Sequence, residues 1–190
     1  MKDASMEVEI SGSIPKLKKQ GRLHALRHIT ALGRITYDAL RFQGDDTVKK
    51  QVITRYLQAE EQAQHDPTLA VSPENYNFKY KGRNQLDGRD VHVFAVNPKK
   101  KRQGLYRGEL WVDAETYLRV QESGYLVKNP SIVLRKVQFV RRYEIRNGIS
   151  VPRQLQTVAD TWLVGKTELT IDYSNFSLDR QNALADGENQ

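Results

Sequence analysis

The chain has 190 residues, no cysteine and a formal net charge of +7 at pH 7. The absence of cysteine excludes disulfides, thiolate nucleophiles and cysteine-ligated zinc. Hydrophobic residues make up 38% and charged residues 28% of the chain, which is polar but above the disordered range. We expect one domain over residues 1–178 and a polar tail over residues 179–190. The net positive charge either serves solubility alone or favours anionic partners.

The first third of the chain shows the period-two alternation of half-buried strands. We expect strands at residues 6–10, 23–30 and 35–43, separated by glycine-containing breaks. Residues 14–19 read as an extended basic stretch, in which Pro15 indicates the edge of a sheet because proline cannot donate a ladder hydrogen bond.

Residues 47–64 are ambiguous, because their apolar positions fit both a helix and a strand. We expect a strand that runs to about Leu57 and passes into a short helix over residues 59–64. If the helix begins earlier, Asp46 is positioned to cap it.

The middle of the chain reads as a loop followed by strands and tight turns. Two prolines mark a loop over residues 65–74. Residues 91–96 are apolar at successive positions, which favours a place inside the sheet. The remaining predicted elements are a strand at 76–80, a turn at 82–88, a basic loop at 98–104 and a hairpin formed by 105–112 and 117–126.

The last third has the clearest strand pattern. Residues 133–145 alternate, with an odd-numbered face that includes Phe139, Arg141 and Tyr143, and Asn147-Gly148 then predicts a tight hairpin turn. Further strands follow at 149–161 and 166–174. The predicted fold is therefore mainly β, a large incurved antiparallel sheet or half-barrel of about eleven strands with one or two short helices.

No catalytic or metal-binding pattern interrupts these strands, so we predict no enzyme, metal or cofactor. His24 and His28 share a face but lack a third ligand. Asp113 and Glu115 lie in one hairpin, where nothing in the sequence buries them or shifts their pKa values. A nucleophile elbow and a phosphate-binding glycine loop are both missing.

Two groups of residues are candidates for binding. The basic run Lys99, Lys100, Lys101 and Arg102 would contact an anionic surface, including a membrane. Nucleic acid is not expected, because no RNA-recognition or OB-fold signature accompanies the basic residues. The large aromatic residues either fill an ordinary core or line an apolar cavity that binds a ligand: Phe94, Trp111, Phe139, Tyr143, Trp162 and Tyr173.

One motif resembles a known family. Residues 108–113 read GELWVD and residues 115–118 read ETYL, which is similar to a strand–turn–strand of the LolA/LolB-like outer-membrane lipoprotein carrier superfamily. The later stretches FVRRYEIRNGISVP (139–152) and VGKTELTIDY (164–173) resemble uncharacterised bacterial envelope proteins with this domain. The resemblance covers about residues 105–176.

The resemblance implies a non-enzymatic periplasmic protein on an incurved half-barrel, which holds a lipid or an acylated protein on the concave face of its sheet. Residues 1–5 carry no apolar leader, so a periplasmic location implies that a leader was removed or omitted. The alternative is an envelope sensor or scaffold domain that binds protein partners through sheet edges and basic loops. The family's lid helices are reduced here to one segment near Glu60, and its functional arginine matches no position in this sequence.

Overall fold

The computed structural model describes residues 3–30, 34–63, 66–129 and 132–178. In this part of the chain ten strands form one open antiparallel sheet. The strands are β1 (Ala4–Ile14), β2 (Lys19–Ile29), β3 (Ile35–Gly44), β4 (Tyr76–Leu86), β5 (Arg89–Pro98), β6 (Tyr106–Asp113), β7 (Arg119–Leu126), β8 (Leu134–Arg146), β9 (Ile149–Thr161) and β10 (Gly165–Leu178). The predicted fold, a large antiparallel sheet with little helix, is confirmed. The predicted tail at 179–190 lies outside the described residues.

The helical part of the chain lies between β3 and β4. We call the helix over residues 46–63 α1; it consists of α-helical turns at Asp46–Val48 and Thr54–Ala63 around a π-helical stretch at Lys49–Ile53. Short 3₁₀ turns occur at Pro15–Leu17 and Pro67–Leu69. No helix among the described residues is long and apolar enough to cross a membrane.

The strand order is β3-β2-β1-β10-β9-β8-β7-β6-β5-β4. Strand β1 is third from one edge of the sheet, β2 and β3 follow outward to that edge, and the chain then crosses to the opposite edge at β4. It then returns strand by strand until β10 pairs with β1, for example at Val8 and Tyr173. The described parts of the crossover, residues 45–63 and 66–75, lie over one face of the sheet, which we call the inner face.

Alternation along the strands builds the core on the inner face. Every second residue of β1 is buried, from Ala4 to Ile14. Each large aliphatic side chain that is fully buried contributes about 1.5–3 kcal/mol relative to exposure. The first core cluster lies beneath α1 and contains Met6, Val8, Ile10, Ile14, Leu23, Ala25, Val48, Val52, Ile53, Leu155, Leu169 and Ile171.

Two smaller clusters lie towards the β4 edge. One joins Tyr76, Val96, Leu105 and Tyr106 and is covered by Leu69 and Val71 of the crossover. The other contains Val91, Val93 and Val120. Phe139 packs against both the first and the second cluster, so it links the two halves of the core.

The prediction of a strand up to Leu57 is wrong, because the helix begins at Asp46. The helix is capped by Asp45 rather than Asp46: its side chain accepts a hydrogen bond from the Thr47 amide at 2.7 Å. The helix can approach β1 closely because Gly12 has no side chain; a Cβ there would lie 3.0 Å from Val48 Cγ1. The spacing of the apolar residues fitted both a helix and a strand, and tertiary packing decided in favour of the helix.

Two further expectations are corrected. Pro15 is not in an edge strand, since Pro15–Leu17 is a 3₁₀ turn that joins two strands inside the sheet. Only the last part of the turn predicted at 82–88 is a turn in the structure. Strand β4 continues to Leu86, with a register shift between Tyr80 and Gly82 in its pairing with β5. A bulge at the flexible glycine keeps the strand paired where the sequence suggested a break.

Asp113 organises the β6–β7 hairpin. It is 6% exposed, and its Oδ1 accepts hydrogen bonds from the Thr116 amide (2.8 Å), the Thr116 hydroxyl (2.8 Å) and the Glu115 amide (3.2 Å). These bonds, the Thr116 amide first, hold the pKa of Asp113 below its usual value. The expectation that nothing buries this carboxylate is wrong, and its role is to close the turn of the motif that carries the family resemblance.

We expect Asp113→Ala to lower the free energy of unfolding by about 2 kcal/mol, because three backbone and hydroxyl donors lose a charged acceptor. Glu115→Ala removes an exposed carboxylate of the same turn and is the matched control. Urea titrations followed by tryptophan fluorescence measure both variants. Equal stabilities of the two variants would contradict the assigned role.

The same contact predicts a pH dependence. A carboxylate whose pKa is depressed in the folded state stabilises the fold above its unfolded pKa of about 3.9 and loses that effect on acidification through its folded pKa. The difference in unfolding free energy between wild type and Asp113→Asn should therefore be constant at pH 6–7 and shrink as the pH falls below about 4. A difference that grows on acidification would exclude this explanation.

Candidate functional site on the inner face

Strand register brings side chains from five strands into one row across the inner face. Tyr80 pairs with Phe94, Phe94 with Leu110, Leu110 with Glu122, and Glu122 with Arg141. Residues paired in this way point to the same face of a sheet. The row thus runs from aromatic residues at the β4 edge to a charged cluster near the middle of the sheet.

Tyr80 and Phe94, at the outer end of this row, belong to a group of partly exposed rings that we call the aromatic patch: Phe78, Tyr80, His92, Phe94 and Tyr117. The Tyr80 ring lies 5.3 Å from Phe94 and 5.8 Å from His92, and His92 stacks on Tyr117 at 6.4 Å. Tyr80 is 53% and Tyr117 74% exposed. The crossover residues Leu69 and Val71 pack on the neighbouring second cluster. The rings of the aromatic patch therefore remain accessible to solvent.

The inner part of the row is the Glu122 cluster: Glu122, Arg119, Arg141 and Tyr143. The buried carboxylate of Glu122 accepts hydrogen bonds from the Tyr143 hydroxyl (2.9 Å), Arg119 Nη1 (3.3 Å) and Arg141 Nη1 (3.5 Å). Burial, reinforced by Glu122 and opposed by Arg141, raises the pKa of Tyr143 to about 12, so its hydroxyl remains a donor at neutral pH. With two guanidinium groups and one carboxylate, the cluster carries one surplus positive charge.

Tyr106 lies beside this cluster. The residue is 5% exposed, and its hydroxyl finds no hydrogen-bond partner among the described residues. Burial, and then the Glu122 charge, raises the pKa of Tyr106. Its ring packs edge-on against Phe139 at 5.0 Å. Buried hydroxyls in folded proteins usually have a partner, which makes this atom unusual.

A second charged cluster lies beneath the C-terminal half of α1. Arg27 is 6% exposed and donates from Nη2 to Glu60 Oε1 at 3.1 Å. The Tyr37 hydroxyl also donates to Glu60, and the Arg27 guanidinium lies 5.8 Å from the centre of the Tyr173 ring. These contacts fasten the helix to β2 and β3.

Four of the six predicted ligand-binding aromatics lie on the inner face. Phe94 belongs to the aromatic patch and Tyr143 to the Glu122 cluster. Phe139 lies between the first and second core clusters, and Tyr173 packs against the first cluster under α1.

The two tryptophans lie elsewhere. Trp111 packs against the third cluster and donates from Nε1 to Glu109 at 3.1 Å. Trp162 is 68% exposed in the β9–β10 turn, where the Arg135 guanidinium lies 4.4 Å from its ring centre. The structure does not bring either tryptophan together with the other four aromatic residues.

The predicted basic run lies in the loop between β5 and β6. Lys99 donates from Nζ to the Pro73 carbonyl at 2.5 Å, which ties this loop to the crossover. Lys100, Lys101 and Arg102 are exposed.

The residues considered for a metal site do not assemble into one. His28 is within 3.3 Å of Asp38, while His24 is exposed. Among the described residues no group of three His, Cys, Asp or Glu side chains is arranged to hold a metal ion.

A second concave region lies on the opposite, outer face. This groove of about 580 Å³ crosses β4 to β7. Its lining residues come from three adjacent rows of paired positions, of which the two flanking rows point to the outer face and the middle row, from Phe78 to Gly124, is in register with the inner face. Arg107 Nε donates to Asn97 Oδ1 at 2.7 Å along one side. The members are Asn77, Phe78, Lys79, Ala95, Val96, Asn97, Arg107, Gly108, Glu109, Ser123, Gly124 and Tyr125.

Sequence reasoning missed most of the polar part of the site. The alternation in β8 placed Arg141 and Tyr143 on one face, but nothing marked Glu122 as their partner. Phe78 and Tyr80 were assigned to a strand without a role. Their importance depends on the pairing of β4 with β5 and of β7 with β8, which one strand's pattern does not specify.

Comparison with known proteins finds no matching family model and no matching curated protein. Among solved structures, the chain is similar to a DUF1329 family protein from Desulfovibrio piger, with 18% identity, a TM-score of 0.48, and 97% of this chain and 88% of that chain covered. It is also similar to a putative outer membrane lipoprotein-sorting protein domain from Vibrio parahaemolyticus (14% identity, TM-score 0.44, 97% and 87% covered). A LolA superfamily protein from Nitrosomonas europaea matches with 13% identity, a TM-score of 0.41, and 94% and 87% covered. These similarities concern the fold alone.

Proposed function

We propose that the protein is a non-enzymatic binding protein of the bacterial periplasm that holds a lipid or the acyl chain of a lipoprotein on its inner face. The observation that carries the proposal is the aromatic patch. Phe78, Tyr80 and Tyr117 are large rings, 37%, 53% and 74% exposed, that lie near half-buried Phe94 and His92. Contiguous exposed aromatic surface is typical of binding sites.

The proposal places the ligand on the uncovered part of the inner face. Beneath α1 the core is closed, since Ile10, Ile14 and Val48 are fully buried. An acyl chain would instead lie along the row from Tyr80 and Phe94 towards Leu110. There it removes apolar ring surface from water, at about 25 cal/mol per Å². Phe94 and Tyr143 of the predicted ligand-binding set border this path.

Titration with a dansyl-labelled fatty acid tests the proposal. The double variant Phe78→Ser/Tyr80→Ser removes two accessible rings, so we expect its affinity to fall at least tenfold, since each ring contributes roughly 1–2 kcal/mol. Trp162→Ser is the matched control, because it removes an exposed ring outside the patch. Lipid analysis of the purified protein should recover co-extracted lipid. Wild-type protein that neither co-extracts lipid nor binds the probe would refute the proposed function.

A second candidate function is an envelope sensor or scaffold domain that binds a protein partner. Edge strand β4 favours it: β4 has eleven residues and one ladder partner, β5, and most of its residues are exposed. Such an edge can accept a strand from another protein. The exposed basic residues Lys100, Lys101 and Arg102, with Lys99, would supply a contact to an anionic partner or membrane surface. A pull-down from envelope extract that recovers one specific protein and no lipid would favour this function.

A further inference from the structure

We infer that Arg119, Arg141 and Tyr106 form a subsite for a single monoanionic head group on an apolar tail, either a fatty carboxylate or a lipid phosphodiester. This inference rests on the proposed function and defines the class of ligand. The aromatic patch would take the tail, and the Glu122 cluster would face the head group.

Charge supports the subsite. Arg119 and Arg141 share the single carboxylate of Glu122, at 3.3 and 3.5 Å, which leaves one positive charge uncompensated in the cluster. The Glu122 side chain is 2% exposed, whereas the arginine side chains are 51% and 43% exposed. The buried carboxylate thus orients two guanidinium groups whose other N–H groups can reach a ligand. A guanidinium presents several donors in a planar arrangement that suits carboxylate and phosphate oxygens.

The Tyr106 hydroxyl is an independent observation. It is buried and lacks a partner among the described residues, and the charges of Glu122 and Arg141 both act on its pKa. The Tyr106 ring packs against Phe139 at 5.0 Å, and the Arg141 guanidinium lies 5.8 Å from the centre of the same Phe139 ring, so Tyr106 and Arg141 are neighbours. An anionic oxygen at this position would accept a hydrogen bond from the hydroxyl, which has no acceptor among the residues that the structure describes.

The position relative to the aromatic patch fits an amphiphile. Glu122 pairs with Leu110, and Leu110 pairs with Phe94, so two strand spacings separate the cluster from the patch. That distance is about 10 Å, which is shorter than the extended tail of a long-chain fatty acid. A neutral head group would leave the surplus charge uncompensated, and a dianion would reverse its sign.

Binding of matched amphiphiles tests the subsite. Oleate and oleyl alcohol have the same tail, so wild-type protein should bind oleate at least tenfold more tightly below the micelle concentration. In Arg141→Gln and Arg119→Gln we expect this advantage to be lost while oleyl alcohol binds as before. Tyr106→Phe keeps the ring and should weaken oleate binding severalfold. Arg135→Gln, which removes an arginine next to Trp162 and far from the cluster, is the control.

The same titrations with lysophosphatidylglycerol distinguish the two head groups. The subsite prefers the anion, oleate or lysophosphatidylglycerol, whose affinity falls more in Arg141→Gln. Equal wild-type affinities for oleate and oleyl alcohol would overturn the inference and leave the proposed function intact. A failure of wild-type protein to bind either tail would refute both. An equal loss of oleate and oleyl alcohol in Arg141→Gln would show that the arginine is structural, and this too would overturn the inference.

Discussion

Replacing Gly108 with alanine is expected to lower the free energy of unfolding by about 3 kcal/mol or more, because a new side-chain atom would collide with main-chain atoms. A Cβ on Gly108 would lie 1.8 Å from the Ser123 carbonyl oxygen and 2.6 Å from Gly124 Cα. Neither atom can move without displacing β7. The pair Gly108 and Gly124 thus permits the close approach of β6 and β7 between the aromatic patch and the second core cluster.

Gly12→Ala is the matched comparison, because it adds the same atom to another central strand. Its Cβ would meet only side-chain methyl groups, Val48 Cγ1 at 3.0 Å and Val52 and Ile53 Cγ1 at 3.3 Å. These can shift, and alanine recovers about 0.5–1 kcal/mol of backbone entropy relative to glycine in a strand. Chemical unfolding of both variants should give a clearly larger loss for Gly108→Ala. Similar losses would show that β6 and β7 can separate at little cost.

Replacing Glu60 with alanine is expected to destabilise the protein by about 3–5 kcal/mol, because it leaves a buried guanidinium without its counterion. Arg27 is 6% exposed and Glu60 is its carboxylate partner. The Tyr37 hydroxyl, whose pKa is raised by burial and by Glu60, would lose its acceptor as well. The C-terminal half of α1 would also lose its attachment to β2 and β3.

The double variant Arg27→Met/Glu60→Leu separates the cost of an unpaired charge from the value of the ion pair. Replacing a buried pair with apolar residues of similar size is often neutral, so the double variant should be more stable than Glu60→Ala. Glu61→Ala, which removes an exposed carboxylate one position further along α1, should have little effect. Thermal or urea unfolding measures all three. A double variant less stable than Glu60→Ala would contradict the assignment.

The helix illustrates why the sequence predicted only part of the fold. Val48, Val52 and Tyr56 are spaced by four residues, which places them on one face of either a helix or a strand. The helix forms because Asp45 caps it and because Gly12 of β1 and Gly21 of β2 leave room for it: a Cβ on these glycines would lie 3.0 and 3.4 Å from Val48 Cγ1. Both strands contribute through contacts distant in sequence, which a local pattern cannot reveal.

The sequence predicted which types of residue form the candidate site, but not which individual residues belong to it. The sequence indicated that large aromatics could line a face, and it placed Arg141, Tyr143 and Phe139 together. It could not show that Trp111 and Trp162 lie apart from that face. It also could not show that Glu122, from another strand, is the acceptor for Tyr143.

The sequence by itself determined the sheet, since strict alternation and turns such as Asn147-Gly148, both at positive φ, are local properties of the chain. It also placed the sharp turn of the motif at Asp113. Only the tertiary structure decided which face the crossover covers, how far α1 extends and which rings stay exposed. These features depend on strand register and on the route of a long connection, and both are set by contacts between residues far apart in the chain.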